Sequence, residues 1–445
     1  MNSNLAIKKA VNLHLAKKFS EAEELYKKIL KNNPNNLAVL NNLSSIYNYK
    51  KKHDQAKNLL EKVLKQKPDY IEALNNYGNA LKGLNSFEEA LIVYKKTLKI
   101  KPDFIDAINN MGNCLTSIGR LDEAMECFKK ALSVNPNHVN SKWNLGLLQL
   151  LVGDFENGWL NYECRKKMNI VNNNYIKSHN KEWDGQASLK NKKIYIYKEQ
   201  GLGDYIQFSR YLLSLKKLGA HIILDTPYSL KKLIKSLEIN FDFIDELKDQ
   251  TFDFYLSIMS LPFVFKTNLK TIPKQIPYLF ADKNKDILWN KKIKNDNKKI
   301  GLCWSGNSKN LNLLNRNIPL KKLIPILELP YLFHSLQIEI EENEKKIINQ
   351  YKNFFDHRNE IIGFDNTAAL INNLDLVITI DTAIAHLAGA LGKKVWILLP
   401  HIPDFRWLLK NDQSPWYASA QLFRQSKLNN WDDVVTIVKK NLKYI

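Results

Sequence analysis

Along the first third of the chain, apolar residues recur with the spacing of a helix face, and the same face returns every 34 residues. Ala22, Leu25, Tyr26, Ile29 and Leu30 stand at i, i+3, i+4, i+7 and i+8. Ala56, Leu59, Leu60, Val63 and Leu64 repeat that stripe. It returns in Ala90, Val93, Tyr94, Thr97 and Leu98, and again in Ala124, Cys127, Phe128, Ala131 and Leu132. A small residue heads each stripe and lets paired helices approach closely, with Gly158 in the next place. Pro34, Pro68, Pro102 and Pro136 keep the same step just past each stripe, where a missing N–H ends a helix. A fixed period of this length predicts stacked helix-turn-helix units, four over residues 1–136 and a fifth over about 137–168. The first helix of each unit carries a second regularity. Asn42, Asn76, Asn110 and Asn144 are also 34 apart.

After about residue 168 the period stops. Residues 169–190 are polar and rich in Asn and Lys, and read as a linker. Strand and helix patterns then alternate. KKIYIYKE is followed by GLGD and a helix over Tyr205–Leu218, then by HIILDT, a helix near Tyr228–Leu237, FDFID and FDFYLSI. The charged run Asp282–Lys299 reads as a hinge. A second alternation runs from KIGLCWSGN through a helix from Pro319, FHSLQ, a helix around Glu341–Tyr351, EIIGF and a helix at Thr367–Asn373. LVITID, a helix over Ala383–Leu391, VWILLP and a last helix near Asn430 complete it. Two βαβ blocks, residues 191–285 and 297–445, predict two Rossmann-like domains that face one another. In such sheets ligands bind at the carboxyl ends of the strands.

Composition adds little to this picture. A length of 445 residues suits about three domains, and 44% hydrophobic residues are enough for packed cores. No stretch is apolar for the roughly 18 residues that span a bilayer. The N-terminus reads as an amphipathic helix with no secretory signal, which places the chain in the cytoplasm. Cys114, Cys127, Cys164 and Cys303 show no metal-ligand spacing and read as buried thiols. The formal charge of +21 is spread without a Lys/Arg block, in a chain rich in Lys, Asn and Ile throughout. It points to compositional bias and anionic small ligands before nucleic acid, and is compatible with weak attraction to anionic lipid.

The candidate chemistry sits at strand ends. Gly201 and Gly203 allow a tight turn after the first strand, and Asp204 opens the following helix. Asp204 is a candidate general base, with a helix N-cap as the plain alternative. In ITIDTAIAHLAGALG, Asp381 ends a strand and Thr382 and Ala383 start a helix of small residues, whose free N–H groups suit a diphosphate. His386, one turn in, is a candidate donor to a phosphate or sugar oxygen, or else a packed helix residue. Ser305 and Gly306, in the WSGN segment, are candidates for the other side of the phosphates. Arg316 is a candidate charge partner, or a lone surface arginine. Gln337 ends FHSLQ, where the edge of a nucleoside would be read, or is an ordinary polar strand end. The asparagine row on the first helices can bond an extended peptide without reading its side chains, since each amide offers donors and an acceptor. Repeat consensus in an Asn-rich chain is the alternative.

The segment NNYGNALKGLNSFEEALIVYKKTLKIKPDF resembles the tetratricopeptide repeat (TPR). Its asparagine row is similar to that of protein O-GlcNAc transferases. EQGLGD, GLCWSGN, FHSLQ, DNTAALINNLDLVITIDTAIAHLAGALGKKVWILLP, DFRWL and SPWY with LFRQ resemble the catalytic region of bacterial tetratricopeptide proteins with a family-nine glycosyltransferase domain. That group is similar to lipopolysaccharide heptosyltransferases. The resemblance implies a TPR superhelix followed by a GT-B fold, a nucleotide-diphosphate-sugar donor in the C-terminal half, no cofactor and no obligatory metal, and an inverting outcome. It places the family's base on Asp204, its DTGxxH donor motif on Asp381, Thr382, Ala383 and His386, with alanine for the glycine, and a phosphate-contacting basic position near Arg316. The function implied is sugar transfer to a hydroxyl on a protein, peptide or cell-surface glycan. The alternative is an adaptor whose α/β half binds nucleotide without catalysis.

Overall fold

The computed structural model describes residues 3–168, 181–199, 201–246, 251–306 and 316–445. The predicted repeats form helix pairs: α1 (Ser3–Leu15) with α2 (Phe19–Asn32), α3 (Leu37–Tyr49) with α4 (His53–Gln66), and α5 (Ile71–Gly83) with α6 (Phe87–Ile100). α7 (Ile105–Ser117) with α8 (Leu121–Val134) and α9 (Val139–Val152) with α10 (Phe155–Tyr162) follow. Ala22, Ala56, Ala90 and Ala124 are fully buried, as small residues at helix crossings should be. Gly78 shows how tight the fit is. A Cβ there would lie 2.5 Å from the Tyr94 ring, and Gly112 meets Phe128 in the same way at 2.6 Å.

The chain divides inside α9. Residues 1–148 form one compact unit and residues 149–445 another. The expected scaffold boundary at 168 is therefore corrected, because α10 is built into the α/β unit. Trp159 on α10 donates its indole N–H to the Thr267 carbonyl at 3.0 Å and meets the Phe208 and Phe405 rings edge-on. Just past α10, Arg165 is buried and forks onto Glu199 with two 2.8 Å bonds. Apolar and charged groups of this helix end thus have their partners in the second unit.

Within that unit the first sheet holds β1 (Lys181–Glu182), β2 (Lys193–Tyr197), β3 (His221–Leu224), β4 (Phe241–Phe243) and β5 (Phe254–Ser257). Its order is β1-β5-β2-β3-β4, with every pairing parallel. The expected linker is corrected at its end, since Lys181 and Glu182 pair with β5; residues 169–180 lie outside the described residues. The expected helix after GLGD is two helices, α11 (Leu202–Phe208) and α12 (Leu212–Lys217), joined by a 3₁₀ turn at Ser209–Tyr211. Short helices α13 (Lys231–Ile234) and α14 (Leu261–Val264) complete this half.

The expected hinge at 282–299 is instead α15 (Lys283–Lys292) leading into the next strand. Asp282 caps α15 through the Lys285 N–H at 3.0 Å, and Trp289 anchors it in the core. The second sheet holds β6 (Lys299–Cys303), β7 (Leu332–Ser335), β8 (Phe354–Phe355), β9 (Leu376–Ile380), β10 (Val395–Leu399) and β11 (Ala420–Arg424). They are parallel in the order β11-β10-β9-β6-β7-β8. β9 and β10 are buried along their whole length, as central parallel strands are. EIIGF adds no strand; the edge strand is the earlier pair Phe354–Phe355. The helices are α16 (Ile324–Leu327), α17 (Glu342–Ile348), α18 (Phe364–Asn372), α19 (Ala383–Ala390) and α20 (Trp431–Leu442). No helix among the described residues is long and apolar enough to cross a membrane.

Candidate functional site

Strand order reverses between β2 and β5 in the first sheet and between β6 and β9 in the second. Loops leaving such strands on either side of a reversal splay apart and open a crevice at their carboxyl ends. The predicted motifs lie at these points: GLGD after β2, WSG after β6 and DTA after β9.

Gly201 has φ +20°, and a Cβ on it would lie 2.5 Å from the Asp204 carboxylate. Glycine there lets the turn close over the acid. Gly203 makes the other close approach, since its Cβ would meet His386 at 2.8 Å and the Ala383 backbone at 3.3 Å. The α11 and α19 starts therefore pack almost backbone to backbone. Asp204 lies in the first turn of α11 and makes no cap hydrogen bond to it, which removes the N-cap alternative. Its Oδ1 is instead 2.5 Å from Arg406 Nη2.

Arg406 is the centre of the charge network. Its Nη1 lies 2.7 Å from Asp404, and its Nε donates to the buried Gln207 side chain at 2.8 Å. Arg316 also reaches Asp404, at 3.3 Å. Its other nitrogen lies 2.8 Å from Asp381 Oδ2 without an N–H aimed at it, so that oxygen is ion-paired but lacks a hydrogen bond. Arg316 is thus no lone surface arginine. Asp381 does not cap α19 either; its carboxylate is spent on Arg316. Three carboxylates share two guanidinium groups. Burial pushes the Asp204 and Asp381 carboxyls above the ordinary range, against the pull of the arginines. Burial pushes Asp404 the same way, but Arg406 and Arg316 together outweigh it and hold that carboxyl below the ordinary range.

Thr382 precedes α19 in extended conformation, with its hydroxyl 3.2 Å from Thr379, and among the described residues no side chain caps the helix. Ala383, half-buried, starts it. His386 is buried. It stacks on Trp407 at 5.3 Å, and its Nδ1 is 3.0 Å from the Tyr417 hydroxyl. Burial and then the neighbouring Arg406 hold its pKa well below the usual value, so it is neutral.

Gly306 donates its N–H to Asn317 at 3.0 Å, and Ser305 donates its own to the Gln337 carbonyl oxygen at 3.0 Å. Both residues line a cavity of about 570 Å³ with Asn317, Lys321, Glu341 and Glu344. Gln337 is buried, and the side-chain oxygen that takes the Ser305 N–H, Oε1, also takes the Trp304 N–H at 3.2 Å, so that oxygen braces the end of β6. Asn307 of the WSGN segment lies outside the described residues.

In the first unit the asparagine row is partly committed. Asn76 donates to the side-chain oxygen of Asn41 at 2.8 Å, Asn110 to Asn75 at 3.0 Å, and Asn144 to Asn109 at 3.0 Å. Each acceptor is a buried asparagine one repeat earlier. The amides thus staple neighbouring repeats, with one donor each used up. All four members of the row, Asn42 included, are half-buried.

Profiles described as tetratricopeptide repeat match residues 13–76, 49–107 and 105–138. Residues 13–138 are tetratricopeptide repeats. Protein FlbA of Caulobacter vibrioides is 24% identical over 321 residues, which cover 66% of this chain and 53% of FlbA. The chain therefore spans about half the length of that curated relative. A thermophilic TPR protein of Thermus thermophilus is 18% identical, with a TM-score of 0.35, over 38% of this chain and 91% of its own. PilW, described as a type IV pilus biogenesis factor, is 25% identical over 38% of this chain and 79% of its own, with a TM-score of 0.35. YrrB, described as a TPR protein with an unusual peptide-binding site, is 21% identical over 37% and 84%, with a TM-score of 0.28.

Beyond the tetratricopeptide repeats, sequence reasoning quoted the DFRWL and SPWY segments but gave no role to Asp404, Arg406 or Tyr417 within them, and it missed Gln207. A signal for two of them was present. Asp404 and Arg406 follow β10, whose carboxyl end adjoins that of β9 in the sheet.

Proposed function

We propose that residues 149–445 form a GT-B-type glycosyltransferase that moves a sugar from a nucleoside diphosphate to an acceptor hydroxyl. The observation that supports this most is the convergence of Asp204, from the first sheet, with Arg406, Arg316 and the uncapped start of α19, from the second. A carboxylate whose basicity burial has raised is suited to take the proton of an acceptor hydroxyl. The acceptor oxygen bonds to the anomeric carbon as the bond from that carbon to the diphosphate breaks. The departing diphosphate carries the electron pair, and the two guanidinium groups and the N–H groups of α19 would accept that charge. The cavity beside Ser305 and Gly306 is of a size for the nucleoside. The tetratricopeptide repeats would hold the acceptor as an extended peptide, through the oxygens and remaining N–H groups of the asparagine row.

The test is a thermal-shift screen of the full chain over nucleotide sugars, followed by a transfer or donor-hydrolysis assay with the stabilising compound. Stabilisation with turnover is the expected result. Stabilisation with neither transfer nor hydrolysis would instead make the unit a nucleotide-binding adaptor module.

A further inference from the structure

Arg210 is almost fully buried, and every hydrogen-bond acceptor it meets among the described residues is neutral. Nε donates to the Gln207 carbonyl at 2.9 Å, Nη1 to the Trp416 carbonyl at 2.8 Å, and Nη2 approaches the Tyr278 hydroxyl at 3.3 Å. The guanidinium lies over the rings of Tyr278, Trp416 and Tyr417, at 4.7 Å from the last. A buried cation without a carboxylate partner is costly, and its charge falls on its neighbours almost unscreened.

The neighbour that matters is Tyr417. It is fully buried, wedged so tightly on α19 that a Cβ on Gly389 would lie 2.4 Å from its ring. Its hydroxyl faces His386 Nδ1 at 3.0 Å. Burial raises the Tyr417 pKa well above the ordinary value, so the phenol keeps its proton. A positive charge beside a phenol makes it a better donor and a poorer acceptor. The same charge, with those of Arg406 and Arg316, opposes a second proton on the imidazole; Asp404 is the acidic group that counters them. The Tyr417 hydroxyl also meets the Tyr278 hydroxyl, but that oxygen already takes Arg210 Nη2 and its own proton goes to the Ile206 carbonyl at 3.0 Å, so the imidazole nitrogen is the better acceptor and the arrangement with the Tyr417 phenol donating to His386 is favoured. The imidazole then accepts at Nδ1 and carries its single proton on Nε2. The Cδ2 corner next to Nε2 faces the Gly203 turn.

We propose that Arg210 and Tyr417 are positioning residues that fix His386 as the neutral Nε2–H tautomer, so that α19 offers an uncharged N–H donor beside the Gly203 turn. The use of that donor on a phosphate or sugar oxygen rests on the glycosyltransferase reading; the tautomer does not.

The experiment is ¹⁵N–¹H NMR of the histidine rings in the full-length protein, with His386 assigned by comparison with His386→Gln. The expected spectrum has Nε2 protonated and Nδ1 as a hydrogen-bonded acceptor, with no titration between pH 7 and pH 5. Tyr417→Phe should release the ring to a mixture of tautomers, and Arg210→Lys, which keeps the charge, should disturb it less than Arg210→Met. A wild-type ring protonated at Nδ1 overturns the proposal without recourse to any variant. So does a Tyr417→Phe spectrum in which the His386 signals are unmoved. Addition of uridine diphosphate or guanosine diphosphate bears only on the functional reading. A shift at Nε2 supports that reading; no shift with either nucleotide counts against it and leaves the tautomer standing.

Discussion

Arg406 ties Asp204 to Asp404, at 2.5 Å and 2.7 Å, across 202 residues of chain in the first case. A carboxylate from the first sheet and one from the second thus share a single buried cation. Under the proposed reaction Asp204 loses its charge to the acceptor proton as the leaving diphosphate gains one. Arg406 is placed to serve both. Asp204→Asn is expected to lower transfer by about 10² to 10⁴-fold, the usual worth of a general base, while nucleotide affinity changes little. Arg406→Ala should lower both. Single-turnover rates and calorimetric affinities separate the two, and an active Asp204→Asn protein would remove that residue from the mechanism.

The described part of the cleft has three carboxylates against two guanidinium groups, so an incoming diphosphate must compete for cations already in use. Burial has raised the Asp204 and Asp381 pKa values, and an added anion raises them further. Nucleoside diphosphate binding should therefore take up protons and tighten as pH falls towards the raised range of these two carboxyls. Titration calorimetry in buffers of different ionisation heat measures the uptake. Proton release would contradict this account of the cleft.

The asparagine staples make a stability prediction. Asn76→Ala removes the donor to the buried Asn41 oxygen, at a cost of about 1 to 3 kcal/mol. Asn110→Ala should behave alike. Asn42 differs, because Ile7 stands 35 residues before it, the separation of the other stapled pairs, and its amide meets the Tyr26 hydroxyl instead. Its replacement should cost less, since that hydroxyl keeps His14 Nδ1 as a second partner at 3.4 Å. Urea denaturation followed by helical circular dichroism ranks the three.

His334 and His357 stack at 5.2 Å with Nδ1 and Nε2 2.9 Å apart, and both are buried. Burial, helped for His334 by His357 and for His357 by Lys292, lowers their pKa values to about 3 and about 4. The unfolded chain takes up these protons near pH 6.5, the folded chain only near the lower values. Between the two the unfolded state binds more protons, so stability falls as pH falls through that window, by up to about 1.4 kcal/mol per pH unit per group. Thermal melts from pH 7 to pH 4 should show the decline, and His357→Phe should flatten it. A melting temperature independent of pH over this range would mean that the pair accepts protons while folded.

Because α10 belongs to the α/β unit, the two possible truncations should differ sharply. A chain starting at residue 149 keeps Trp159 on Thr267 and Arg165 on Glu199. A chain starting at residue 169 leaves Glu199 buried without its cation, and one-sided loss of a buried ion pair costs about 3 to 5 kcal/mol. The first is expected to be soluble and to melt cooperatively, the second to aggregate.

The order of elements and the place of each glycine turn were legible in the sequence because their signals are local. Thirty-four-residue spacing, an alanine at each helix crossing and a proline after each pair are read within one or two turns of chain. Asp204 and Asp381 stood out as candidates because strand ends are where ligand groups gather in parallel sheets. What Arg406, Gln337 and α10 do was not legible. Each acts on a partner far away in sequence, and no periodicity records which distant group a buried charge or indole will meet. Local pattern determined the helices, the strands and the candidate acids. Only tertiary packing decided which cation each acid shares and to which unit the last repeat helix belongs, because desolvation makes a buried polar group depend on whatever neighbour the fold supplies.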